Sequence, residues 1–429
     1  MKADNDGLET ALLTLLRQRG MATSGELQAR FGLSQPTLSR ALQALSSHLL
    51  TLGAGRNTRY AMPQPIVGRA AQQPLFWVHA DGRFEPLGML SFLSNERVHV
   101  QGEGIDIARQ GQLPWFLAPL RAEGFLGRAL ARQLAGVGLP GDPHAWSLEQ
   151  ALLAALHTHD APGAIVLGEP QAALLPALDH DALAQAVTSQ ASAGSSAGGE
   201  QPKFLARRSD GAAVLVKFTP PRGTPYGERW HDLLHAEALA LQVLHEQSVP
   251  VAATRIVSTS RRTYLESERF DRVGRHGRLH VVPLRAAHEA FVPGAMQHWA
   301  ASCEGLVRQG RLPPEAGRQA AALRHFGRLI GNTDMHFGNL SLRVARDDLV
   351  RGRFTLAPLY DMLPMRWRPD PHADGEIGPT PFEPEPLDLQ SAARPLAQQY
   401  WERVAEHAEI GKPTRALAKV MALRVKATA

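Results

Sequence analysis

Three acceptor side chains stand at chemically suggestive intervals in the second half of the chain. Asp334 and Asn339 lie five positions apart in "GNTDMHFGNLSL", and Asp361 follows in "FTLAPLYDMLP", 27 residues beyond Asp334. Taken alone, the stretch from Asn332 to Asn339 reads as a turn, because Asn, Asp and Gly tolerate turn backbone geometry. Taken in order with two lysines upstream, Lys203 and Lys217, the set fits transfer of a phosphoryl group from ATP. That chemistry needs a carboxylate to orient and deprotonate the attacking hydroxyl, two oxygen ligands for Mg2+, and cations on the phosphates. Asp334 is the candidate base, Asn339 and Asp361 are the candidate metal ligands, and Lys217 is the candidate phosphate cation.

The lysines stand out because arginine supplies nearly all the positive charge. Lysine occurs only at positions 2, 203, 217, 412, 419 and 426, although Lys and Arg together number 46. A lysine kept inside a domain against such a bias marks a place where a compact ammonium is wanted. Lys203 closes the segment "SQASAGSSAGGEQPKF". By composition that segment is a flexible linker. Beside a strand that carries a lysine it is also a way to cradle nucleotide phosphates on backbone amides, with Ser196, Gly198, Gly199 and Lys203 as the contacting candidates.

The elements that must position these groups are legible nearby. Val214, Val216 and Phe218 alternate in "AAVLVKFTPP", which predicts a strand with Lys217 on its other face. A helix is expected over "GERWHDLLHAEALALQVLHEQ", and Glu237 within it can pair with Lys217, as kinases pair a strand lysine with a helix glutamate. As a surface charge, Glu237 would need no such partner. The stretch "RTYLESERFDR" predicts a strand entering a turn, a place for a hinge that reads adenine through its backbone. The interval between Asp334 and Asn339 equals that between Asp and Asn in a protein-kinase catalytic loop.

The N-terminal segment carries a different signal. "LETALLTLLRQR" has helical periodicity, and "ATSGELQARFGLSQPTLSRALQALSS" reads as helix, turn, helix. Thr23 with Glu26 predicts a capping box, Gly32 a helix stop and Ser34 an N-cap followed by Pro36. Leu38, Leu42 and Leu45 share one face, leaving Gln35, Thr37, Ser39, Arg40 and Gln43 outside. "LLTLGAGRNTRYAM" predicts two short strands around a Gly-rich tip bearing Arg56 and Arg59. Three helices and a basic hairpin describe a winged helix-turn-helix over about residues 8–62, a module that binds duplex DNA through its second motif helix and wing. A small protein-interaction module is the other reading.

Composition sets outer limits. A chain of 429 residues with 44% hydrophobic content implies more than one core. No apolar run reaches membrane-spanning length, and "MKADNDGLET" is not a secretory leader. The single cysteine, Cys303, excludes an internal disulfide framework and thiolate metal cages, and fits a cytoplasmic protein. A net charge of +5 permits a polyanionic partner.

The segments "SSAGGEQPKF", "YLESERFDR", "GNTDMHFGNLSL" and "LAPLYDMLP", in that order, resemble the HipA family of bacterial serine/threonine kinases, the toxin components of type II toxin–antitoxin modules. The resemblance spans about residues 75–429. It implies an α+β fold, a two-lobed protein-kinase-like arrangement preceded here by the small winged helix-turn-helix. The expected domains are 1–64 for DNA binding, 65–185 for the family's N-terminal subdomain, 186–270 for the nucleotide-binding lobe and 271–429 for a mainly α-helical catalytic lobe. The resemblance further implies ATP and Mg2+ as cofactors and a protein substrate, aminoacyl-tRNA synthetases being known targets in the family. It assigns Lys217 to the phosphates, Glu268, Arg269 and Phe270 to the hinge, Asp334 to the base, and Asn339 and Asp361 to Mg2+. It also implies an autophosphorylated serine in the Ser/Gly loop, Ser196 or Ser195. The fused DNA-binding segment departs from the family pattern, in which a separate antitoxin binds DNA. His336 has no role in this scheme. The other reading of the chain is a transcriptional regulator whose kinase-like fold only binds nucleotide or another ligand.

Overall fold

The computed structural model describes residues 2–53, 55, 58–171, 174–190, 201–370 and 379–426. Ser195, Ser196, Gly198, Gly199 and Arg56 therefore lie outside the described residues. The chain divides into two compact units, Met1–His79 with Arg83–Glu123 and Gly127–Ala172, and Ala80–Gly82 with Gly124–Leu126 and Ala173–Ala429.

The first unit begins with α1 (Lys2–Arg19), β1 (Met21–Thr23), α2 (Ser24–Phe31), α3 (Gln35–Ala44), β2 (Leu50–Leu52) and β3 (Arg59–Ala61). Its three strands pair antiparallel in the order β1-β3-β2. The expected stops and starts are present. Thr23 and Glu26 form a reciprocal capping box, Gly32 ends α2 at φ 63°, and the Ser34 hydroxyl caps α3. Leu38, Ala41, Leu42 and Leu45 bury against Leu12, Leu16 and Leu27. β1 has no counterpart in the sequence reading, because three residues ahead of a cap carry no periodicity.

The same unit continues with β4 (Gln72–Val78), β5 (Phe84–Leu93), β6 (Arg97–Gly102), β7 (Ile105–Gln110), α4 (Gly124–Gln133), α5 (Leu148–His157) and β8 (Ile165–Leu167). These strands form an antiparallel sheet in the order β7-β6-β5-β4-β8. Residues 115–120 form a 3-10 helix that contains Pro119. Strand β3 runs on into this sheet: the Met62 amide donates to the Gly20 carbonyl, Ser94 to Met62, and Gln64 to Phe92. Leu52, Ala61 and Leu93 share one small core there.

The second unit opens with α6 (His180–Gln190), β9 (Lys203–Arg207), β10 (Ala213–Phe218), α7 (Pro225–Glu246), β11 (Thr254–Ser258) and β12 (Thr263–Glu268). The sheet order is β11-β12-β10-β9, all antiparallel, and Val214, Val216 and Phe218 bury with Phe204, Ala206 and Tyr264. A short hairpin, β13 (Arg272–Val273) and β14 (Gly277–Arg278), leads to β15 (His280–Pro283), α8 (Leu284–Phe291), α9 (Trp299–Arg308) and α10 (Pro314–Leu329). Then come β16 (Ser341–Val344), which pairs with β15, β17 (Thr355–Leu356), which pairs with β16, and α11 (Pro386–Leu389), α12 (Arg394–Glu406) and α13 (Lys412–Lys426). A strand-rich half, with α7 between β10 and β11, thus precedes a helical half.

Helix α7 is fixed in its N-terminal half. Thr224 caps it, and the buried Asp232 accepts the Gly411 amide at 2.8 Å and the Thr414 hydroxyl. Asp232→Ala leaves that amide and hydroxyl without their acceptor, which costs about 1–3 kcal/mol. Urea denaturation of the full chain should show a lower midpoint with an unchanged slope.

Candidate functional site

Strand β10 places Lys217 beside Lys203, its direct partner on β9, so the two ammonium groups rise from the same face of the sheet. Lys217 is 5% exposed and donates to both carboxylate oxygens of Glu237, each at 2.7 Å. It also contacts Asp361 Oδ1. Glu237 is 1% exposed, so the pairing read from the sequence joins two buried charges. Burial alone would push the Lys217 ammonium down, but Asp361 and Glu237 hold it above the ordinary lysine value. Burial raises Glu237 despite Lys217 beside it. Burial would also raise Asp361; Lys217, with Lys203 further away, reverses this and holds the carboxyl at about 2. Asp361 is therefore ionised at any physiological pH.

Asp361 is one of only five non-glycine residues with positive φ among those described, at 55°. Such a backbone is strained for a residue with a Cβ and persists where its surroundings enforce it. Here the enforcement comes from Asn332, which is buried and donates from Nδ2 to the Asp361 carbonyl at 3.4 Å. The other end of the same side chain, Oδ1, accepts the Asp334 amide at 3.0 Å. Asn332 thereby ties the two aspartate segments to one another.

Gly331 ends α10 at φ 75°, where a Cβ would also meet the Trp367 ring, and releases the chain into the loop that carries Asp334. Within the loop Asn339 Nδ2 donates to the Asp334 carbonyl at 2.8 Å, which turns its Oδ1 away as a free acceptor. The ring of His336 accepts the Gly338 amide at 3.0 Å, and its carbonyl accepts the indole N–H of Trp299 and the Asn339 amide. His336 thus shapes the loop. Partial burial lifts the Asp334 carboxyl above the ordinary aspartate value; His336 opposes that, Asp361 adds to it, and Arg368 and Lys203 oppose it. A carboxylate so raised is a better proton acceptor than a free one.

Tyr360 is a bracing residue that the sequence reading missed. Its hydroxyl donates to the Gly338 carbonyl at 2.7 Å and bonds Ser341 at 2.7 Å, while its ring lies 5.5 Å from that of Phe270. Of the three hinge candidates, Glu268 and Arg269 already donate their amides to Ala253 and Ala213. A base would meet those two through groups other than their amides. Asn332 had a visible signal, its place two residues before Asp334; Tyr360, next to Asp361, had none beyond adjacency.

In the first unit the candidate DNA face is also laid out. Gln35, Ser39, Arg40 and Gln43 are exposed on α3, and Thr37 is half-buried with its hydroxyl bonded to Ser34 at 2.9 Å. Gln35 is held by Gln28, and Arg59, expected on the tip, is instead the first residue of β3, paired with Leu52 at the turn end of the hairpin and 3.8 Å from Asp106.

Comparison with known proteins places this geometry. Residues 195–429 match the model of the HipA-like C-terminal domain, and residues 69–175 match that of the YjjJ-like toxin middle domain. Toxin YjjJ of Escherichia coli (strain K12) is 34% identical over 447 aligned positions, covering 96% of this chain and 97% of that protein. The chain belongs to the HipA-like toxin family. Its fold also resembles a solved structure from Shewanella oneidensis MR-1, that of the HipA and HipB toxin–antitoxin system with its operator DNA. The TM-score is 0.55 at 17% identity, over 82% of this chain and 95% of that one. The α+β, kinase-like architecture expected from the sequence is therefore the observed one. Within this HipA-like chain, Lys203, Lys217, Glu237, Asn339 and Asp361, with the segment bearing Asp334, form one connected arrangement.

Removing the Asn332 side chain tests that connection. Asn332→Ala should release the Asp361 backbone and lower any phosphoryl-transfer rate by roughly tenfold or more, as misplacement of reacting groups does. Nucleotide affinity should fall far less; single-turnover assays beside nucleotide titration separate the two.

Proposed function

We propose that this HipA-like toxin is an ATP-dependent serine/threonine kinase acting on a protein, and that it binds duplex DNA through its N-terminal segment. The observation that carries the kinase reading is the buried Lys217 held between Glu237 and Asp361, in a segment that Asn332 ties to the Asp334 loop. In this reading Lys217 and Lys203 bind the phosphates. The donor set fits Mg2+, because Asp361 is held ionised and the Asn339 amide is oriented with its oxygen free. Magnesium bound there would neutralise charge on the phosphates. Asp334 receives the proton of the incoming hydroxyl, its carboxyl aimed by the bonds to its backbone from Asn332 and Asn339. The hinge candidates Glu268, Arg269 and Phe270 border the adenine site. Phosphorylation of Ser196, or of Ser195, would place about −1.5 to −2 charges beside the bound phosphates and close the site by repulsion.

Two substitutions separate the roles. Asp334→Ala should keep nucleotide affinity and lose transfer, whereas Asp361→Ala should weaken Mg2+–ATP binding itself. Transfer of labelled phosphate to lysate proteins by either variant at the wild-type rate would overturn its assignment. Because Asp334 must be ionised to accept a proton and is raised in the folded protein, the acid limb of the pH–rate profile should lie above the ordinary aspartate range. A regulator that only binds nucleotide would show Lys217-dependent ATP binding with no label in either the loop serines or any other protein.

The DNA reading rests on the winged-helix pairing of β1, β2 and β3 and on the exposed face of α3. The full chain should bind duplex DNA with a steep salt dependence, because Arg40, Arg56 and Arg59 would displace counterions. Arg40→Ala should reduce affinity in a mobility-shift assay. Binding that ignores salt would return the segment to the protein-interaction reading.

A further inference from the structure

A cleft of about 670 Å³ opens in the first unit between the winged-helix strands and β7. Its walls bring together Arg19 at the end of α1, Arg59 on β3, Arg97 at the start of β6 and Arg109 on β7, with Glu26 and Asp106 as the acidic members. The two carboxylates are already engaged. Glu26 accepts the Thr23 amide at 2.7 Å and its hydroxyl at 2.9 Å, and Asp106 accepts His99 Nε2 at 2.7 Å. The arginines are less well served. Arg59 comes no nearer than 3.8 Å to Asp106, and Arg109 donates to the carbonyl of its neighbour Ala108. Arg97 donates one N–H to Gln110 Oε1 at 3.0 Å, while its Nε is buried with no hydrogen-bond partner among the described residues.

Four guanidinium groups against two engaged carboxylates leave an excess of positive charge in a concave space. The Arg97 guanidinium, which lines the cleft, is thus incompletely paired. The volume lies within the range of small-molecule sites. A continuous phosphate backbone lying along this cleft would meet Glu26 and Asp106 as well as the arginines, whereas a compact ligand covers only part of the wall. We propose that this cleft binds a compact phosphorylated small molecule, of the pyrophosphate or nucleotide class, through Arg19, Arg59, Arg97 and Arg109. Such a ligand would touch the strand that forms the wing, and that strand is hydrogen-bonded onward to β5 through Met62 and Gln64. The site is separate in residues from the one built on Lys217.

The test is calorimetric titration of the full-length protein with inorganic pyrophosphate at low salt, without added metal. Arg109→Gln and Arg97→Gln should each weaken binding roughly tenfold, the loss of one charge-assisted contact, and Lys203→Ala should leave this binding event unchanged. Arg109 is exposed, so Arg109→Gln alone decides the matter if Arg97→Gln does not fold. Absence of pyrophosphate binding to the wild type, or binding insensitive to Arg109→Gln, overturns the proposal. So does an Arg109→Gln variant that loses duplex DNA affinity while keeping pyrophosphate affinity, since the cleft would then be an extension of the DNA surface.

Discussion

A buried ammonium is the constraint around which the second unit is organised. Lys217 on β10 has almost no contact with solvent, and an unpaired charge in that position would cost several kcal/mol. Two carboxylates meet it, Glu237 from α7 and Asp361 from the segment after β17. Paired charges seldom add much net stability when buried, but they are strongly directional, because removing any one leaves the others uncompensated. The triad therefore fixes where α7 and the Asp361 segment must stand relative to the sheet. Two carboxylates against one ammonium leave an excess negative charge, and Lys203 on the adjacent strand acts on both carboxylates. The rarity of lysine in this chain acquires a physical meaning here: a compact point charge fits between two carboxylates where a planar guanidinium would not.

The loop that bears Asp334 is held by a second set of constraints, all of them neutral hydrogen bonds. Trp299 of α9 holds the His336 carbonyl, Tyr360 holds the Gly338 carbonyl, and Asn332 holds the Asp334 amide. Each anchor is a side chain bonding to backbone, so the loop's path is set without using the side chain of Asp334, which remains available for chemistry. The positive φ of Asp361 belongs to the same logic. A strained backbone at a site is maintained by its neighbours, here Lys217 on the side chain and Asn332 on the carbonyl.

The first unit makes a comparable use of shared structure. Its N-terminal segment does not hang on a free linker. Instead the chain after β3 is hydrogen-bonded to β5, and Leu52, Ala61 and Leu93 bury together. Gly20 allows this approach, since its φ of 79° suits glycine and a Cβ there would lie 2.5 Å from the Ser94 carbonyl. The arginine-rich cleft is a product of that close approach.

Local signals in the sequence determined the helix starts and stops, the burial face of α3 and the alternation of β10, because capping, glycine stops and periodicity act over a few residues. The spacing of Asp334, Asn339 and Asp361 and the isolated lysines also pointed to one class of chemistry, because phosphoryl transfer demands few residue types in a set order. Tertiary structure alone decided the rest. β1 and β8 are strands because partners from distant segments pair with them. Glu237 is a buried ion-pair partner and not a surface charge because α7 packs it against Lys217, 20 positions earlier in the chain. Asn332 and Tyr360 brace the site, and Arg19 and Arg97 share a cleft, through contacts between residues far apart in sequence. Such contacts leave no local pattern, since the energy that selects them is gained only when separate elements pack.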